Sequence, residues 1–120
     1  MNLTTIKTAT SELSKATYED GTYDLSTMES VSYNDGYQVT FCNIGDNYTD
    51  EETMELINLF LTESIVPVVY AGKFESEPEI SFRIADKEKA IELAKKYNQI
   101  SIWDWQAMDE IKTGGTGKRG

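Results

Sequence analysis

Between residues 36 and 105 the spacing of apolar residues switches repeatedly between two and 3.6, and the order of those switches restricts the fold more than any other feature. GYQVTFCNI (36–44) alternates, with Tyr37, Val39 and Phe41 on one face and Gln38, Thr40 and Cys42 on the other, as a strand with one buried face does. A helix follows. Thr49-Asp50-Glu51-Glu52 is a capping box: the Thr49 hydroxyl takes the amide of the third residue, and Glu52 reaches back to the cap. Its acids suit the positive end of the helix dipole. Met54, Ile57 and Leu61, with Leu56 and Phe60 beside them, then form a stripe at helical spacing.

VPVVYAGK (66–73) reads as a second strand, and Pro67 places it at a sheet edge, since proline cannot donate to the ladder. ESEP is a turn, and EISFRIA (79–85) alternates again with Ile80, Phe82 and Ile84 inward. Asp86 caps a second helix, KEKAIELAKKYN, whose stripe is Ala90, Ile91, Ala94 and Tyr97. Lys95 and Lys96 lie at its negative end, and Asn98 suits a left-handed stop. QISIWDW (99–105) is the last strand of the series.

The order β-α-β-β-α-β is the ferredoxin-like pattern, an α+β fold. Right-handed crossovers then give an antiparallel sheet of order 4-1-3-2 with both helices on one face. The expectation is one domain over residues 22–112, with an N-terminal hairpin extension and a short C-terminal strand. Residues 1–21 form an N-terminal segment with a short helix at SELSKA, and 113–120 a flexible Gly-rich tail. A chain of 120 residues is long enough for one real core and too short for two.

Two nine-residue runs repeat a phrase eighty positions apart: YDLSTMESV (23–31) and WDWQAMDEI (103–111). In the expected sheet order both flank one edge, where they pair as hairpin extensions with Tyr23 near Trp103. The alternative is shared hairpin chemistry without any such pairing. The uncovered sheet face is expected to carry Gln38, Thr40, Cys42, Val69, Ser81, Arg83, Trp103 and Trp105. Its two tryptophans are either buried beneath residues 1–21 and the hairpin, or exposed as a docking patch.

The charge is unevenly distributed. Net charge is −10, yet residues 16–72 contain no Lys or Arg and eleven of the 21 acids. A one-signed surface repels nucleic acid and anionic membranes and attracts basic protein surfaces, although solubility alone also favours it. No secretory leader is expected in MNLTTIKTATSELSKA, and no apolar run has the length of a membrane span. One cysteine suits a reducing compartment, so a cytoplasmic location is expected.

Catalytic patterns are sparse. Without histidine there is no His-based triad and no His metal site. Cys42 has no partner in the pattern and reads as an apolar filler. IGDNYTDEE lacks the central glycine and spacing of a calcium loop and is better explained as a helix cap. TGGTGKR (113–119) has the glycines and bases of a phosphate loop, but no helix follows it. Neither a cofactor nor a metal is expected.

Taken together, GYQVTF, IGDNYTDEE, EPEISF, AKKYNQISIWDW and EIKTGGTG resemble a group of small acidic proteins carried by phages and other mobile elements of Gram-positive bacteria, over about residues 17–117. The resemblance implies a context and no site residues. Such proteins are often inhibitors of host defence, of anti-CRISPR or anti-restriction type, and several imitate nucleic-acid charge.

The leading expectation is a non-enzymatic inhibitor that fills the basic nucleic-acid channel of a host nuclease or effector. Its partner-binding residues would be Asp46, Tyr48, Asp50, Glu51, Glu52, Glu55, Trp103 and Trp105. It would contact neither nucleic acid nor membrane directly and act as a monomer or homodimer. The alternative is a ferredoxin-like regulatory or small-ligand-binding module. A third reading, carboxylate chemistry at Asp104, Asp109 and Glu110, has no substrate to recommend it.

Overall fold

The computed structural model describes residues 2–40, 48–74 and 77–116. In chain order the elements are α1 (Leu3–Leu13), β1 (Gly21–Asp24), β2 (Glu29–Val31), β3 (Tyr37–Thr40), α2 (Asp50–Glu63), β4 (Tyr70–Phe74), β5 (Glu77–Ile84), α3 (Lys87–Lys96), β6 (Ser101–Asp104) and β7 (Asp109–Lys112). The seven strands among the described residues join one antiparallel sheet, β2-β1-β4-β5-β3-β6-β7, curled into a half-barrel.

The helices share one face of that sheet. Ile6 and Leu13 of α1, Ile57 and Phe60 of α2, and Ala90, Leu93 and Ala94 of α3 are buried with Val39, Ala71, Ile80, Phe82, Ile84 and Ile102 in a single core. Phe60 packs against Phe82 with ring centroids 5.1 Å apart. The capping box at Thr49 and Glu52 is formed, and Asp86 caps α3. Asn98 ends α3 in the left-handed region at φ 57°.

The ferredoxin-like expectation is overturned. The four strands of the expected ferredoxin-like core lie in the middle of the sheet as β4-β5-β3-β6, but β1 and β2 extend it beyond β4, β7 extends it beyond β6, and a third helix covers it. The error arose at Pro67. β4 begins only at Tyr70, so Pro67 precedes the strand and removes no ladder donor. Both flanks of β4 are therefore open to pairing, and β1 takes one of them from Gly21↔Lys73 to Asp24↔Tyr70.

The N-terminal helix also exceeds expectation. Its Thr- and Ser-rich composition is a weak helix former. Its hydroxyls bond back to the preceding turn, Thr8 to the Thr4 carbonyl and Thr10 to that of Ile6. Asn2 caps the start through the Thr5 amide at 2.9 Å, and the full burial of Ile6 and Leu13 supplies what propensity does not. Lys73, only 5% exposed, anchors the exit of this helix by donating to the carbonyls of Lys15 at 2.6 Å and Tyr18 at 2.8 Å.

Both copies of the repeated phrase are hairpins. β1 and β2 close on Asp24↔Glu29, and β6 and β7 on Asp104↔Asp109. The copies occupy opposite edges of the sheet, so Tyr23 and Trp103 are not neighbours. The stretch expected as a tail is hydrogen-bonded as far as Thr116: the Thr113 hydroxyl and the Gly115 amide both donate to the Gln99 carbonyl, and Thr116 exchanges bonds with Asn98. Among the described residues no helix is long and apolar enough to cross a membrane.

Candidate binding groove on the open face of the sheet

Residues opposite one another in an antiparallel ladder share a face, so the register maps the side turned away from the helices. Trp103 pairs with Gln38 and Glu110, Gln38 with Arg83, Thr40 with Ser81, Ser81 with Tyr70, Glu79 with Gly72, and Gly72 with Thr22. This face is polar and aromatic, whereas the other is largely apolar.

One end of it is closed by residues 32–36, the connection that carries the chain from the β2 edge across to β3. Tyr33 is the plug. Its ring stands edge-on to Tyr70 at 6.1 Å and to Trp105 at 5.5 Å, and its hydroxyl is 2.8 Å from that of Tyr70. The Arg83 guanidinium lies 3.9 Å over the Tyr33 ring and pairs with the Asp35 carboxylate. Gly36 turns the chain here at φ +82°, where an added Cβ would crowd Ile65 and Arg83. Burial holds the Tyr70 hydroxyl well above the usual tyrosine range, and the hydrogen bond with Tyr33 adds to this.

Beneath the plug the buried polar groups satisfy each other. The indole N–H of Trp105 donates to Gln38 Oε1 at 3.1 Å, and Gln38 Nε2 donates to Ser81 Oγ at 2.9 Å. Arg83 Nε is the one buried side-chain polar atom among the described residues without a hydrogen bond.

The rest of the face is a groove of about 850 Å³, floored by Thr22, Gln38, Thr40, Gly72 and Ser81 and walled by Glu79, Trp103, Glu110 and the Gln99–Ser101 segment. Among the described residues its lining includes two carboxylates and no Lys or Arg. Lys112, then Ser101, hydrogen-bonds to Glu110 and lowers its carboxyl below the usual range, which keeps it ionised. Arg83, paired across the strands with Gln38 of the floor, is matched by Asp35. The groove is therefore suited to a neutral or cationic guest and poorly suited to phosphates. Among the described residues no cluster of three His, Cys, Asp or Glu side chains could hold a metal.

The expected partner-binding residues divide into two sets. Asp50, Glu51 and Glu55 are exposed on α2, Glu52 is committed to the cap, and Tyr48 is half-buried just before the helix. Trp103 and Trp105 lie across the sheet from these, in the groove, with Trp105 only 5% exposed and Trp103 half-buried. Asp46 falls outside the described residues, as do Phe41 and Cys42. The acids of α2 are not isolated from bases in space: Lys7 pairs with Asp50 at 2.8 Å and Lys89 approaches Glu63 at 3.8 Å.

Neither expectation for the tryptophans holds as stated. α1 packs on the helical face, and Tyr33, from the connection at 32–36, contacts Trp105. Val69, expected on the open face, is buried in the core, and Ile100 is 50% exposed at the groove. Tyr33, Glu79 and Gln99 were missed as part of this region. A tyrosine in an SYNDG loop has no periodicity to assign it a side, so only Glu79, by its alternation with Ile80, was open to inference.

No protein-family model matches the chain, and no curated protein or solved structure matches it.

Proposed function

We propose that this is a non-enzymatic acidic binding protein that inhibits a nucleic-acid-binding host protein, such as a nuclease of a CRISPR or restriction system, by occupying its basic surface. The observation that carries this reading is the one-signed charge: net −10, with no base between Lys15 and Lys73. The exposure of Glu51 and Glu55 on α2, and the two glutamates of the groove, are in keeping with it. Attraction of this kind is screened over about 8–10 Å at moderate ionic strength, so binding should be steeply salt-dependent.

The test is capture of partners on the tagged chain from a bacterial lysate at low salt, followed by elution in a salt gradient and identification by mass spectrometry. A nucleic-acid-binding protein released at moderate salt, whose activity the pure chain then inhibits, is the expected result. Binding indifferent to salt, or no effect on the captured protein's activity, counts against it. A second reading, a small-ligand-binding module, is favoured by the groove itself, whose 850 Å³ lies in the range of sites for small molecules.

A further inference from the structure

Binding energy at this groove comes from a small set of features. The amide of Gln38 is already used at both ends, by Trp105 and by Ser81, so the centre of the floor is not arranged to read the hydroxyls of a polyol or the edge of a base. The groove instead offers a negative wall at Glu79 and a half-buried indole at Trp103. An indole beside a carboxylate, Trp103 opposite Glu110, with no Lys or Arg among the described lining residues, is the chemistry that takes up an ammonium or guanidinium group.

The groove is also long. Glu79 lies four residues along β5 from Arg83, in the row of Gln38 and Trp103, which is about 13 Å of strand. Across the strands the lining runs from Thr22 on β1 to Trp103 on β6, four inter-strand gaps or roughly 19 Å along the sheet. That extent fits several residues of extended chain better than one compact metabolite.

We propose that the groove on the open sheet face docks an extended segment of the protein partner that bears Lys or Arg side chains, one received at Glu79 and another at Trp103 beside Glu110. This rests on the reading of a basic protein partner and names the surface that meets it. The acids of α2 then contribute long-range attraction, while the groove holds the segment.

The experiment titrates the full chain with a labelled hexapeptide of alternating glycine and arginine, capped at both ends, and with its glycine–glutamate counterpart. The two tryptophans of the chain both line the groove, so their emission reports its occupancy, and peptide anisotropy reports binding anywhere on the chain. The expected result is a saturable emission change with the arginine peptide and none with the glutamate peptide. Glu79→Gln should weaken binding about five-fold or more, and Thr40→Lys, which brings a base into the groove, should weaken it further. Glu92→Gln, the same charge change at an exposed position of α3, should alter affinity less than two-fold, and circular dichroism confirms that each variant is folded.

Equal weakening by Glu79→Gln and Glu92→Gln overturns the groove, as does anisotropy-detected binding that leaves tryptophan emission unchanged; both outcomes leave the acidic-binder reading standing. Equal binding of the glutamate peptide also overturns it. No binding of the arginine peptide, together with no salt-eluted partner from the lysate, removes both the groove and the reading it rests on.

Discussion

Asp24 and Asp104, eighty positions apart, hold the same kind of turn at opposite edges of one sheet. Asp24 Oδ1 accepts from the Ser26 amide at 2.8 Å, and Asp104 Oδ1 accepts from the Gln106 amide at 3.0 Å. Each turn then closes through a methionine in the left-handed region, Met28 at φ 60° and Met108 at φ 53°. The repeated phrase is thus a four-residue hairpin turn written twice, with an Asx-type bond at its start and a left-handed residue at its end.

The two methionines should respond differently to glycine. Met108 is 56% exposed, whereas Met28 packs against the core. Met108→Gly relieves a strained conformation with little lost contact and should stabilise the fold by about 0.5–1 kcal/mol, a few degrees in Tm. Met28→Gly forfeits burial as well and should give no gain. Thermal melts of the two variants side by side decide this.

Gln38 is the centre of the buried polar network. Gln38→Leu leaves the Trp105 indole N–H and the Ser81 hydroxyl without their partner, at a cost of about 1–3 kcal/mol. Denaturant unfolding should show the loss, and Gln38→Leu combined with Trp105→Phe should cost less than the sum of the single changes. Strict additivity would mean that the two side chains do not act as a pair.

Gly115 lies where no side chain fits. A Cβ there would be 2.3 Å from the Gln99 carbonyl oxygen and 2.6 Å from that of Asn98. Gly115→Ala should detach residues 113–116 from the end of α3, lower stability by roughly 1–2 kcal/mol and speed amide exchange at Thr113 and Gly115. Unchanged exchange at both amides would refute this anchoring.

Tyr70 gives stability a dependence on alkaline pH. Burial, then its hydrogen bond to Tyr33, raises its pKa in the folded chain above the ordinary value of 10.0. Above that value the unfolded chain releases the proton while the folded chain keeps it, so stability falls as pH rises beyond about 10. Below pH 9 this group contributes no slope. Tyr70→Phe should flatten the alkaline arm of a stability–pH curve measured by urea unfolding, and an arm as steep as that of the parent would place the dependence elsewhere.

The legible parts of this protein are those whose causes lie within four residues. The capping box at Thr49, the stripe that buries Ile57 and Phe60, the Asp86 cap and the left-handed stop at Asn98 all act between residues i and i+3 or i+4, and the sequence shows them directly. Alternation likewise placed Val39, Ile80, Phe82 and Ile84 on the core face and Gln38, Ser81 and Arg83 opposite. α1 was only partly visible, because Ile6 and Leu13 derive their helical state from burial against partners far along the chain.

The edges of the sheet and the plug of the groove were decided by tertiary structure. Whether β4 is an edge depends on where its ladder begins, three residues past Pro67, and on β1 arriving from more than forty residues earlier to pair with it. Tyr33 finds Tyr70, Arg83 and Trp105 only once β2 and β3 lie on different sides of the sheet. Period and capping are local properties fixed by backbone geometry, so the sequence alone determined them. Pairing and enclosure instead balance loop closure against contacts made by distant residues, and no single stretch of the chain contains both sides of that balance.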